Sequence, residues 1–342
     1  MIGCSGQVRK LLFTLLVTVT FVGSAHAMDM GPQAIRVGRG ERLLVIAPHP
    51  DDETLGAGGL IQRVLAAGGS ARVVLMTAGD GYREGVVSET GRQQPQPSEY
   101  VEYGERRYHE ARAAVRELGG DRVRLELLGY PDRGLDALLG PNWQRIHVER
   151  SATTGASDPP YRQALDPDIP YAGANVRAQL VRLLRETRPT IVAFPDPIDK
   201  HPDHRATAIF TLLAIDEWSR EGKGMPPRLL GYLVHWPGWP PGWDGGVGAG
   251  TTRDALLLPA TLPARDLGQV ALQLSPTEVS RKTAALARHE SQEEVMRPFL
   301  GAFLRQTEPF TVFTIGEARR MAHSAERLRQ AQEHAKTAAK RG

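Results

Sequence analysis

Cysteine is all but absent from the 342 residues: the one present is Cys4. It stands ahead of the apolar run from Leu11 to Val22, where a lipid-modified cysteine would not lie. Arg9 and Lys10 before that run, and Ala25-His26-Ala27 after it, have the order of an export signal with a small-residue cleavage site. Residues 1–27 are therefore expected to be removed. The chain that remains has no cysteine, so no disulfide can staple it and a metal ion would have to be held by His, Asp or Glu.

Long apolar runs are lacking as well. Leu11 to Val22 is too short to span a bilayer comfortably, so no stable membrane insertion is expected, and the protein is expected in the periplasm or outside the cell. Nor is there an excess of one charge: the formal +3 falls to +1 without Arg9 and Lys10, since residues 1–27 contain no acid. That balance argues against a nucleic-acid surface. No repeat of solenoid length is present, and the roughly 315 residues after the signal suffice for one large α/β domain.

Four short apolar runs, residues 42–48, 71–77, 123–128 and 190–194, have the character of buried parallel strands. Helical patterns separate them. Residues 53–67 stop at Gly68-Gly69. Residues 101–118 set Tyr108, Ala111, Val115 and Leu118 on one stripe before Gly119-Gly120, and residues 176–187 precede Pro189. The order predicts an α/β, three-layer Rossmann-like fold with a mainly parallel sheet. Gly56-Ala57-Gly58-Gly59 lacks the dinucleotide pattern G-x-G-x-x-G and reads as close helix packing.

Residues 134–173 show no period and are expected to be an insertion or a long loop over the site. After a strand-like segment at 229–235, the Trp-, Pro- and Gly-rich stretch 236–250 reads as a second insertion. Ser275-Pro276-Thr277-Glu278 caps a helix expected to reach about His289. Residues 309–314 return as a strand, closing a single domain over 40–316. Residues 317–342 are expected to form a charged helical tail, solvated or frayed.

Two clusters carry the chemistry. Ala47-Pro48-His49-Pro50-Asp51-Asp52-Glu53 follows the first strand, where open α/β sheets bind ligands. His201-Pro202-Asp203-His204 follows the strand ending at Phe194 and opens a helix to about Trp218. So many carboxylates together favour a cation, and a His-Asp-His set with an open position has the composition of a catalytic zinc site. The alternative is that Asp52 and Asp203 cap their helices while the histidines make ordinary hydrogen bonds.

These two motifs, in this order and spacing, resemble those of the PIG-L/LmbE family of zinc-dependent de-N-acetylases, over residues 42–220 well and over the remainder loosely. The resemblance implies an LmbE-like fold and hydrolysis of the N-acetyl amide of an amino sugar or glycoconjugate. It implies one Zn2+ on His49, Asp52 and His204, with Asp51 as general base and His201 stabilising the developing oxyanion, for which a protonated ring would serve. Asp203 is expected to orient His49 or His201. Some members carry a Gly- and Tyr-rich loop before the second motif. Here that stretch is Asp196-Pro197-Ile198-Asp199-Lys200, so aromatic assistance must come from elsewhere or be absent.

Candidate substrate contacts are Arg83, in the glycine-bearing loop after the second strand, and Asp132 in Gly129-Tyr130-Pro131-Asp132-Arg133, which is similar to the family's substrate loop. Trp236, Trp239 and Trp243 could form a platform for a sugar or apolar group, or a self-supporting loop. His289, in a pattern the family often shows, is placed at the edge of the site, although a helix C-terminus also favours histidine. Two other functions fit the same motifs: metal-dependent hydrolysis of another amide or ester, and non-catalytic carbohydrate binding through the Trp loop.

Overall fold

The computed structural model describes residues 33–146, 148–222, 225–243 and 253–339; the expected export signal lies outside them. The described chain runs β1 (Gln33–Ala34), β2 (Arg42–Ala47), α1 (Asp52–Ala66), β3 (Ser70–Thr77), α2 (Arg83–Thr90), α3 (Pro97–Gly119), β4 (Val123–Tyr130), α4 (Leu135–Leu139) and α5 (Gly173–Thr187). It continues through β5 (Ile191–Pro195), α6 (Pro202–Arg220), β6 (Arg228–Tyr232), β7 (Gly268–Gln273), α7 (Pro276–Leu286), α8 (Glu290–Gly301), β8 (Thr307–Phe313) and α9 (Ile315–Ala339). The strands form one sheet in the order β1-β7-β8-β6-β5-β2-β3-β4. Only β8 is antiparallel to its neighbours, β6 and β7, so the sheet is mainly parallel, as the alternation of apolar runs and helices predicts.

Side-chain alternation along β2 explains why its run is continuously apolar. Leu43, Val45 and Ala47 enter one core with α1, α3 and α7; Leu44 and Ile46 enter the other with α5, α6 and α9. Both faces are covered, so neither set of side chains can be polar. The strand pairs with β3 on one side and β5 on the other, because the chain winds outward to β4 and then crosses back. That reversal is the topological switch point where such sheets bind ligands.

Gly56 fixes how α1 lies on the sheet. A Cβ there would sit 2.4 Å from Tyr232 Cδ2, and Tyr232 is itself held by a 2.8 Å hydrogen bond from its hydroxyl to Ile46 O. Gly56→Ala should therefore destabilise the protein by about 1–3 kcal/mol through overpacking, less the ~1 kcal/mol that alanine gains in a helix. Urea unfolding measures it; an unchanged midpoint would mean that Tyr232 moves freely.

Several expectations are revised. Residues 134–173 are largely irregular beyond α4 but packed into the fold: Trp143 stacks on Phe210 at 6.0 Å, and Leu135, Leu138, Trp143, Tyr161 and Tyr171 are buried. None of the described residues of this stretch lines the central cavity. The segment after the α7 cap stops at Leu286 and resumes as α8. That helix kinks at Met296 (φ −138°, ψ 25°), where Pro298 cannot donate to the helical ladder. The C-terminal helix is not wholly solvated: Ala318 and Ala322 are buried in the α5–α6 core, and Arg329 lies 4.6 Å from the Trp143 ring centre. No described helix is long and apolar enough to cross a membrane. Of the second expected insertion, only the part up to Trp243 is described.

Candidate metal centre

Neighbouring strands bring the two motifs together. Past the end of β2, Pro48 O accepts from both Thr77 N and Thr77 Oγ1 at 3.0 Å, which ties the His49 turn to β3. Asp52 and Glu53 then open α1. Beyond β5, His201 caps α6, whose first helical residue is Pro202, a position where a missing N–H costs nothing. The His201 Nδ1 accepts from Asp203 N at 3.2 Å. An accepting Nδ1 carries no proton, so the proton of this ring is on Nε2.

At the centre, His49 Nδ1 and His204 Nε2 each lie 3.2 Å from Asp52 Oδ2, and the rings of His49, His201 and His204 offer nitrogens within 4.8 Å of one another. His204 is wholly buried, yet neither of its ring nitrogens has a well-aligned hydrogen bond. A buried imidazole without an aligned hydrogen bond, whose Nε2 meets His49 Nδ1 at one carboxylate, fits a divalent cation of borderline softness. The electrostatics agree. Against burial, which pushes it down, Asp52 and Asp199 raise His204 to about 10; His49 is likewise raised against burial, chiefly by Asp132. The acids demand positive charge here, and a metal ion would supply it.

The surroundings orient these groups. Asp203 contacts both histidines considered for it: Oδ2 lies 3.3 Å from His49 Nε2, and its backbone N–H donates to His201 Nδ1. Its carboxylate is fixed in turn by Arg133 N at 2.6 Å and Leu135 N at 3.2 Å. Asp199, from the stretch that departs from the family pattern, lies 3.3 Å from His204 Nδ1. It also accepts from His201 N, Val234 N and His235 N, each at 2.9 Å. This stretch thus supplies a carboxylate that braces three histidines, His201, His204 and His235.

Asp51 is held in an unusual backbone conformation, with φ +117°, a region non-glycine residues seldom enter and that costs about 1–3 kcal/mol. Its N–H donates to Glu53 Oε2 at 3.0 Å, and Glu53 Oε1 lies 3.2 Å from His289 Nε2. From α3, Arg107 donates to Pro50 O at 2.5 Å, Asp51 Oδ2 at 3.1 Å and Gly79 O at 2.8 Å. Burial pushes the Asp51 carboxyl up to about 7, with Asp52 and Glu53 adding to the rise against Arg107 and His289.

A cavity of about 200 Å³ opens over these groups, lined by His49, Asp51, Asp52 and His201 together with Asp132. Both Asp132 oxygens are engaged, Oδ1 lying 3.3 Å from His49 Nε2 and Oδ2 accepting from Gly81 N at 2.7 Å. Arg83 is not brought to the cavity. It is exposed and donates to Gln93 O, while its neighbour Tyr82 supplies the phenol of the lining. His289 is buried behind Asp51 and does not line the cavity. The tryptophans separate: Trp239 is buried and donates to Leu257 O at 2.8 Å, Trp236 donates to Thr261 Oγ1 at 2.9 Å, and Trp243 alone is exposed.

An α/β sheet with a His/Asp donor cluster at its switch point and a tethered carboxylate beside it defines a metal-dependent hydrolase of the LmbE-like architecture. Residues 44–215 match the GlcNAc-PI de-N-acetylase (PIG-L) family, and the chain belongs to that family. It is 31% identical over 264 residues to a 1D-myo-inositol 2-acetamido-2-deoxy-alpha-D-glucopyranoside deacetylase of Tsukamurella paurometabola, covering 73% of this chain and 82% of that one. It is 27% identical over 179 residues to a diacetylchitobiose deacetylase of Thermococcus kodakarensis, covering 51% and 49%. Among solved structures, the N,N'-diacetylchitobiose deacetylase of Pyrococcus horikoshii superposes with a TM-score of 0.46 at 20% identity, covering 80% and 84%.

Proposed function

We propose that this chain hydrolyses the N-acetyl amide of an amino sugar or glycoconjugate, giving free amine and acetate, with one zinc ion held by His49, Asp52 and His204. The observation that carries the proposal is the convergence of His49 Nδ1 and His204 Nε2 on Asp52 Oδ2, with Asp51 lining the same cavity. When bound there, zinc supplies a Lewis acid for the amide carbonyl and lowers the pKa of a water molecule. Asp51 takes the water's proton on Oδ1, the oxygen Arg107 does not engage, and returns it to the leaving amine. His201 keeps its Nε2 proton and donates a hydrogen bond from it to the carbonyl oxygen as negative charge develops there. The ring acts as a neutral donor rather than the cation expected from sequence, because its Nδ1 is occupied by Asp203 N. Asp203 and Asp199 hold the imidazoles in register.

The order of residues 1–27 supports export, and with it a periplasmic or extracellular saccharide as substrate. The test is primary-amine release by the purified protein from N-acetylated amino sugars, short chitooligosaccharides and N-acetylglucosaminyl conjugates, with zinc and with a chelator. Release that the chelator abolishes and zinc restores is expected; no release from any of them by protein shown to hold its metal would sink the proposal.

A further inference from the structure

The cavity has a second chemistry that hydrolysis of a small polar acetamide leaves unused. Part of its lining is apolar: Leu55, Val234, Met296 and Phe299. From the donor cluster a run of rings leads outward. His235 stands 4.8 Å from His204 and 5.2 Å from His201, centre to centre. Phe299 stacks on His235 at 5.5 Å with the planes 8° apart, and Trp243 meets Phe299 edge-on at 5.8 Å. The run ends in water: Met296 and Phe299 are only partly buried, and Trp243 is 40% exposed.

We propose that this track is a subsite for an apolar substituent of the substrate, aryl or alkyl, carried on the sugar away from the polar groups that meet the charged side of the cavity. At about 200 Å³ the cavity falls below the ~300–1,000 Å³ usual for sites that enclose a whole ligand, so a larger substrate must extend beyond it. Where it extends past Phe299 it meets aromatic faces and a thioether, surfaces that gain from being covered by apolar groups and gain little from hydroxyls. The kink at Met296 belongs to the same feature, since Met296 and Phe299 both line the cavity from that distorted stretch of α8. The inference rests on the amidase reading for what occupies the inner cavity. An apolar group could be the aglycone or a longer N-acyl chain, and the two share the same recognition chemistry.

Two series distinguish them. One keeps the N-acetyl group and varies the glycoside from methyl to benzyl to octyl; the other keeps the methyl glycoside and varies the acyl group from acetyl to butanoyl to octanoyl. All are used below their micelle concentrations. In one series kcat/KM should rise roughly tenfold or more from the smallest to the largest member, the scale on which apolar pockets discriminate. In Phe299→Ala that ratio should fall toward one, and in Trp243→Ala, which alters an exposed ring and carries less risk to folding, it should fall part of the way. The series that shows the gain identifies the substituent. Flat ratios in both series overturn the subsite and leave the amidase reading standing, as does a gain that survives both substitutions. If the metal-loaded protein releases no amine from any compound, the amidase reading fails, and calorimetric Kd values for the same compounds decide the subsite alone. Roughly tenfold tighter binding of an octyl, benzyl or octanoyl compound than of its smallest analogue, lost in Phe299→Ala, supports it; equal affinities overturn it.

Discussion

Asp51→Asn should lower kcat by about 10²–10⁴-fold, the range that positioned acid–base groups contribute, while the protein keeps its metal. Asparagine has the same shape and can still accept from Arg107, so the turn between β2 and α1 has no reason to move. What it cannot do is take a proton from water. The metal should be retained because the proposed donors are His49, Asp52 and His204, and Asp51 faces Arg107 instead. The effect on stability has the opposite sign. Burial, with Asp52 and Glu53, raises Asp51 from 3.8 to about 7 in the metal-free protein, so the folded state binds this proton more strongly than the unfolded chain. Ionising Asp51 therefore costs stability, a cost that begins above about pH 4 and is fully present above about pH 7. The asparagine variant escapes it and, without metal, should melt no lower than the parent at neutral pH. Steady-state kinetics, metal analysis and thermal unfolding of the same preparations read all three expectations. Wild-type turnover, or loss of the metal, would remove Asp51 from the role of base.

The proposed donors stand out in the sequence because each is a neighbour of a strand end, and strand ends are marked by apolar runs. Once β2 and β5 are known to be adjacent, His49, Asp52 and His204 have nowhere else to meet. Asp203 was legible for the same reason. The residues that shape the rest of the cavity come from segments whose role depends on tertiary packing. His235 follows β6 by three positions with no periodic signal. Met296 and Phe299 lie in α8, which carries a proline and is kinked, so the helical period that betrays other helices is interrupted. Trp236 and Trp239 follow the second of the two alternatives left open in sequence, side chains held by the protein itself, through Thr261 and Leu257. The stretch 134–173 looked like a loop because it lacks a period, yet its aromatic side chains are anchored individually in the core. Arg107 did leave a signal, since it falls on the same face of α3 as Tyr103, Gly104, Ala111 and Ala114, all of them buried. A charged residue on an apolar stripe needs a partner inside the protein, and here the partner is the proposed base.

That placement makes Arg107→Met the most disruptive single change expected outside the metal ligands. Arg107 is 3% exposed and its guanidinium satisfies two carbonyls and a carboxylate at once, so methionine would fill its volume while leaving Pro50 O, Gly79 O and Asp51 Oδ2 without this donor. Breaking a buried charge pair from one side costs about 3–5 kcal/mol, part of it because Arg107 helps hold Asp51 at its strained φ. Position 79 is shaped for this contact: a Cβ on Gly79 would lie 2.0 Å from Arg107 Nη1. Arg107→Lys keeps the charge but brings one compact ammonium to three acceptors set around a planar fork. It should recover part of the stability and little of the rate. In protein that remains folded, release of the Asp51 turn should reduce kcat by roughly 10²-fold, the penalty for misplacing a reacting group by about 1 Å, with KM changed far less. A rise in KM at constant kcat would instead make Arg107 a substrate contact, and a variant with the parent's unfolding midpoint and kcat would leave Asp51 positioned by its own turn alone.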